Sequence, residues 1–130
     1  VKTNIDSGMF RAIQDAAVLA LTGDQGWLTE RNGIYRERRD LIMDVLPELG
    51  MEAEIPQASL YIWARVPRGY TSAQLATRVL DEAGISITPG TAFGQQGEGY
   101  VRISLGADTN RIREGLERLK KLDLRAPVNA

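Results

Sequence analysis

The chain has 130 residues, 43% hydrophobic and 25% charged, with 16 Lys and Arg against 17 Asp and Glu for a net charge of −1. That length is enough for one compact domain burying roughly two thirds of its unfolded surface, and the balanced charge offers no basic field to nucleic acid or anionic lipid. With no Cys and no His, disulfides, thiolate chemistry, cysteine metal sites and the common triads are excluded, and the commonest general base and metal ligand is lost. No residue is therefore assigned as metal-binding. No apolar run approaches the ~20 residues that span a bilayer, so a soluble, cytoplasmic protein is expected.

Asp6 or Ser7 can cap a first helix, in which Met9, Ile13, Ala16, Ala17 and Ala20 recur at helical spacing and Gly23 is the stop. Asp24 opens a longer helix. Its Trp27, Leu28, Ile34, Tyr35, Leu41, Ile42, Val45 and Leu46 repeat every three to four residues, and Pro47 and Gly50 close it. Together the two helices predict an α-hairpin. The run Arg36 to Asp40 reads as a solvated face laced with opposite charges.

After Pro56 the period changes to two. Leu60, Ile62, Ala64 and Val66 face one way and Ser59, Tyr61, Trp63 and Arg65 the other, until Pro67 and Gly69 break the strand. Thr71-Ser72-Ala73-Gln74 is a candidate capping box for a helix carrying Leu75, Ala76, Val79, Leu80 and Ala83, with Gly84 at its end. A short strand is predicted over Ile85 to Thr88 and a long one over Tyr100 to Leu105. Asp108 or Thr109 starts a last helix with Ile112, Leu116, Leu119 and Leu122 on one stripe. These elements predict an α+β fold, a small and mostly antiparallel sheet packed against helices and preceded by a long α-hairpin. One domain is expected over residues 1–122, with 123–130 a frayed tail.

Chemistry concentrates on the second long strand. In Tyr100-Val101-Arg102-Ile103-Ser104-Leu105 the aliphatics take one face and Arg102 the other. A strand roots the planar guanidinium rigidly, which suits bidentate pairing with a carboxylate; the plain alternative is an arginine on solvated sheet surface. If the two long strands share a sheet, Tyr61, Trp63, Arg65, Tyr100, Arg102 and Ser104 form one aromatic and basic face. Such a face is expected to meet a ligand or another domain, cation–π packing being the rival reading. The segment Gly94 to Gly99 is not a phosphate loop, because it runs into a strand rather than a helix N-terminus, and it is expected to be a flexible connection.

The stretches GEGYVRISLG, Ile87-Thr88-Pro89-Gly90-Thr91-Ala92-Phe93-Gly94 and Ala58-Ser59-Leu60-Tyr61-Ile62-Trp63 resemble, in order and spacing, the C-terminal small domain of class I/II (fold type I) pyridoxal-phosphate aminotransferases. The likeness runs from Lys2 to about Leu122. It implies that Arg102 grips the α-carboxylate of an amino-acid substrate, and that the loop with Gly90 and Phe93 lies at the mouth of the active site. It also implies that Asn4, in the segment leading into this domain, contacts the substrate of a neighbouring subunit in a homodimer. Turn and cap hydrogen bonds are the simpler roles for Asn4 and Asp6, as are turn chemistry and core packing for Gly90 and Phe93. The wording K-T-N-I-D-S-G-x-F-x-A-I-Q looks closest to LL-diaminopimelate aminotransferases and near relatives, with alanine- and aspartate-type members open.

The family's lysine that forms a Schiff base with pyridoxal 5'-phosphate lies upstream of everything present; Lys2, Lys120 and Lys121 are the only lysines here and none has that context. The chain, beginning at Val1, thus reads as part of a larger enzyme, inactive by itself. Its large domain would bind the cofactor, and the whole would exchange an amino group between an amino acid and a 2-oxo acid. The alternatives are a freestanding carboxylate-binding α+β module without cofactor, and a lyase, decarboxylase or regulatory relative of the same fold.

Overall fold

The computed structural model describes residues 8–125. Helices α1 (Arg11–Thr22) and α2 (Gly26–Val45) are followed by strands β1 (Glu52–Ala53) and β2 (Tyr61–Arg65), helix α3 (Ser72–Ala83), strands β3 (Thr88–Pro89) and β4 (Tyr100–Ser104), and helix α4 (Thr109–Leu119). Within the stretch expected to be one domain there are two compact units, divided between Asn32 and Gly33.

In the first unit α1 begins after Phe10, so Met9 precedes the helix; the caps proposed at Asp6 and Ser7 lie outside the described residues. Gly23 ends it as expected, donating its N–H to the Leu19 carbonyl at 2.9 Å. The Asp24 carboxylate accepts from the Gly26 N–H at 3.0 Å, and this fixes the turn into α2. None of α1 is buried. Phe10, Leu19 and Leu21 stand 73%, 72% and 80% exposed, so the periodicity located the helix while its apolar surface remains uncovered. Contiguous apolar surface favours association, and the 130-residue chain is expected to sediment as oligomers and to bind a hydrophobic dye. A clean monomer at high concentration without dye binding would contradict this.

The second unit holds the sheet, in the order β1-β2-β4-β3 with every pairing antiparallel. Alternation sorts its faces as the sequence implies. Ile62, Ala64, Val101 and Leu105 join Ile42, Val45, Leu46, Leu75, Val79, Ile112 and Leu116 in one core beneath α2, α3 and α4. Leu60 and Leu80, grouped with the core by spacing, are exposed instead. The strand predicted over Ile85 to Thr88 pairs only at Thr88–Pro89, an edge where proline's missing N–H is tolerated.

The α3 boundaries follow their local chemistry. Thr71 and Gln74 form the reciprocal capping box, and Gly84 closes the helix in the left-handed region at φ 63°. Asp108 caps α4 through the Asn110 N–H. The run Arg36 to Asp40 is not only a solvated face, because Arg38 donates to Thr109 Oγ1 and the Leu105 carbonyl, and Glu37 pairs with Arg113 at 2.7 Å. The tail is also more ordered at its start than expected. Leu124 is 1% exposed in the core and Arg125 donates to the Pro47 carbonyl; residues 126–130 lie outside the described range.

Candidate functional site

The face of the sheet away from the helices carries Arg102. On β4 it lies opposite Trp63 of β2 and Thr88 of β3, so strands on both sides hold its backbone. Its guanidinium carbon sits 4.3 Å from the centre of the Tyr61 ring and 4.6 Å from that of Phe93. Both distances are within cation–π range. A guanidinium carries its N–H donors in its own plane, and a planar carboxylate meets them with two parallel hydrogen bonds. Among the described residues no carboxylate pairs with Arg102.

Aromatic contacts continue across the face. Trp63 meets Phe93 edge-on at 5.8 Å and stacks on Tyr100 at 5.6 Å with the planes 13° apart. Tyr100 in turn receives Arg65, whose guanidinium lies 5.3 Å from the ring and donates to the phenol oxygen at 2.9 Å. Of the two readings the sequence offers for this face, the cation–π packing is present. Tyr61, Trp63 and Phe93 remain 41%, 41% and 52% exposed. A groove of about 900 Å³ runs beside them, lined by residues 52–59 with Tyr61, Trp63, Arg65 and Tyr100. A more apolar cavity of about 380 Å³ lies among the helices and is not lined by Arg102.

Phe93 reaches the site from a loop of two consecutive 3-10 turns, Gly90–Phe93 and Gln95–Gly97. Gly90 itself is buried, and its backbone runs so close to Gly97 that a Cβ there would lie 2.0 Å from the Gly97 oxygen. Only glycine permits that approach. The expected flexible connection is in fact pinned. The Glu98 carboxylate accepts from the Ser72 N–H at 2.9 Å, the Ser72 hydroxyl at 3.0 Å and the Gly99 N–H at 2.9 Å. The Ser72 backbone bond, then its hydroxyl bond and the Gly99 bond, hold the Glu98 pKa below the usual carboxylate value. Of the four site residues named from sequence, Arg102 and Phe93 touch, Gly90 shapes the loop beneath Phe93, and Asn4 lies outside the described residues. Tyr61 and Trp63 were legible as neighbours from the alternation; Glu98 and Ser72, 26 residues apart, carried no such signal.

The model of the aminotransferase class I and II family matches residues 3–119, and the chain belongs to that family. Among its relatives, the LL-diaminopimelate aminotransferase of Moorella thermoacetica is 50% identical over 122 residues, which are 94% of this chain and 31% of that protein. The enzyme of the same name from Nitratidesulfovibrio vulgaris is 48% identical over the same shares. The substrate-bound BacF structure from Bacillus subtilis superposes with a TM-score of 0.78 at 35% identity, covering 97% of this chain and 33% of that one. The alanine aminotransferase from Pyrococcus furiosus gives 0.75 at 29% identity, over 82% and 28%. The chain thus spans about a third of the length of the curated relatives it matches.

The family implies pyridoxal phosphate, which attaches through a lysine amine. The described residues do not fit that group. Their only lysines are Lys120 and Lys121, and Lys120 pairs with Glu48 and Glu117 at the end of α4, which is surface ion pairing. No described helix is long and apolar enough to cross a membrane, and no described cluster of acids could hold a metal ion.

Proposed function

We propose that this chain is the C-terminal small domain of a pyridoxal-phosphate-dependent aminotransferase, in which Arg102 holds the α-carboxylate of the amino-acid substrate. The observation that supports this is the Arg102 guanidinium within 4.6 Å of the Tyr61 and Phe93 ring centres, with no carboxylate paired to it among the described residues. Bound there, an amino acid would be fixed at its carboxylate end, so that its amino group and Cα–H are presented in one orientation to the large domain. Positioning of this kind can supply a large part of a catalytic barrier reduction. The cofactor, when bound by the upstream part of the protein, supplies the electron sink for exchanging the amino group between an amino acid and a 2-oxo acid. Phe93 and Gly90 shape the mouth of the site, and Asn4 contacts the substrate of the second subunit in a cytoplasmic homodimer.

Recognition of a charged carboxylate is tested with wild-type longer protein by comparing an amino acid with its carboxamide. L-Alanine or LL-diaminopimelate, the latter chosen from the names of the relatives, should react at least ~100-fold more efficiently than the matching amide, because a neutral amide forfeits the charge-assisted pair. Equal efficiency would defeat the carboxylate role. The cofactor assignment has its own check. The 130-residue chain mixed with pyridoxal phosphate should develop no stoichiometric visible absorbance from a lysine-bound cofactor; a band traced to one particular lysine would overturn the placement of that chemistry upstream.

A further inference from the structure

Tyr61 is held beside Arg102 by the β2–β4 pairing, where it faces Ser104. Phe93, the second ring beside Arg102, belongs to no strand, and half its surface is exposed. Something else has to fix it. The loop that carries it leaves the sheet at Pro89 and returns at Tyr100. Between these points the Gly90 and Gly97 backbones touch. The Gly99 carbonyl accepts from the Val66 N–H at 2.9 Å, which secures the returning end of the loop. The turns pack on α3 and β4, and the side-chain hydrogen bonds that join them to α3 are those of the Glu98 carboxylate with Ser72, a residue that is 0% exposed at the first turn of that helix. Three donors converge on that one carboxylate, and charged hydrogen bonds of this kind are about twice as strong as neutral ones.

We infer that Glu98 is a positioning residue for the carboxylate grip: by tying the loop to α3 it holds Phe93 against Arg102 and Trp63, and so sets the direction in which the guanidinium edge points. The inference rests on the reading of Arg102 given above. It goes beyond it by assigning the aim of the arginine to a residue that never touches substrate. The path is short and physical. Glu98 follows directly on Gly97, Gly97 packs on Gly90, and Gly90 begins the turn that ends in Phe93.

The bonding pattern grades the variants. Glu98→Gln keeps an oxygen for the Ser72 and Gly99 N–H groups, which share Oε1, while Glu98→Ala removes every bond. In the longer protein Glu98→Ala is expected to raise KM for the amino acid ~10-fold and Glu98→Gln only ~2–3-fold, with kcat changed less than twofold in both. A merely structural loss of folded protein would lower activity without this split. On the 130-residue chain carrying Trp27→Phe, Trp63 becomes the sole tryptophan, and Glu98→Ala should red-shift its emission and increase acrylamide quenching as Phe93 leaves its edge. Unchanged Trp63 emission overturns the inference whatever the kinetics. Shifted emission with unchanged KM overturns it as well; if Arg102→Ala does raise KM, the carboxylate reading survives alone, and if it does not, that reading has failed separately. Should Glu98→Ala not fold, Glu98→Gln and Ser72→Ala carry the same comparison, and parental values of KM and emission in both would overturn it.

Discussion

Arg102→Ala in the longer protein is expected to lower kcat/KM toward amino acids by roughly one and a half to nearly four decades. Truncating one partner of a desolvated, hydrogen-bonded charge pair costs ~2–5 kcal/mol, and each ~1.36 kcal/mol is a factor of ten in rate. Arg102→Lys keeps the charge and loses the planar fork, so it should fall between the two, with one contact where there were two. The amide substrate supplies the internal control. Since it carries no charge to pair with the guanidinium, its turnover should fall much less in Arg102→Ala, and the preference for carboxylate over amide should collapse. Folding should survive, because Arg102 lies on the face away from the core formed by Ile62, Ala64, Val101 and Leu105. Near-normal efficiency in Arg102→Ala would leave a strand arginine stacked on aromatic rings and nothing more. Loss of the folded state would make it a structural residue and remove the ground for the carboxylate role.

The parts of this molecule that were readable in advance are those where the information is local. Strand β2 declares its two faces by strict alternation, and Ile62 and Ala64 are buried while Tyr61, Trp63 and Arg65 are not. The Thr71–Gln74 box lies within four residues and the Gly84 stop is a single position, so both could be placed from residue type alone. Arg102 was conspicuous because a permanent charge interrupts an otherwise aliphatic strand. What could not be read is contact between segments whose spacing follows no period. Nothing in the sequence near Glu98 mentions Ser72, and nothing near Arg38 mentions Thr109. The segment Gly94 to Gly99 reads as a flexible connection because it leads into a strand rather than a helix N-terminus. Gly97 within it, together with Gly90 before it, is instead what lets two stretches of backbone meet. Helix α1 misled in the opposite sense, since apolar periodicity signals that a face is to be covered without saying by what.

That close meeting of backbones makes Gly90→Ala the substitution with the largest expected effect on stability. The new Cβ would lie 2.0 Å from the Gly97 oxygen, 2.7 Å from the Tyr100 oxygen and 2.9 Å from the Gly97 carbonyl carbon. All three are main-chain atoms, so no side chain can turn aside. Tyr100 is moreover the first residue of β4, paired with Arg65. Relief requires parting the two 3-10 turns or dragging the start of β4, and overpacking that moves backbone belongs at the upper end of its usual range, ~3 kcal/mol. In a unit of this size that lowers the melting temperature by roughly 10–20 °C. Gly33→Ala is the matched control. It lies within α2 with nothing inside 4 Å of its added Cβ, and alanine there should stabilise the helix by up to ~1 kcal/mol. The same methyl group is thus expected to act with opposite sign at two glycines, and thermal melts of the two variants decide it. Gly90→Ala should also displace Phe93 and so red-shift Trp63 emission before the unit unfolds. A Gly90→Ala protein that melts with the parent and keeps its Trp63 spectrum would show that the turns can separate freely, and that the position of Phe93 over Arg102 does not depend on their contact.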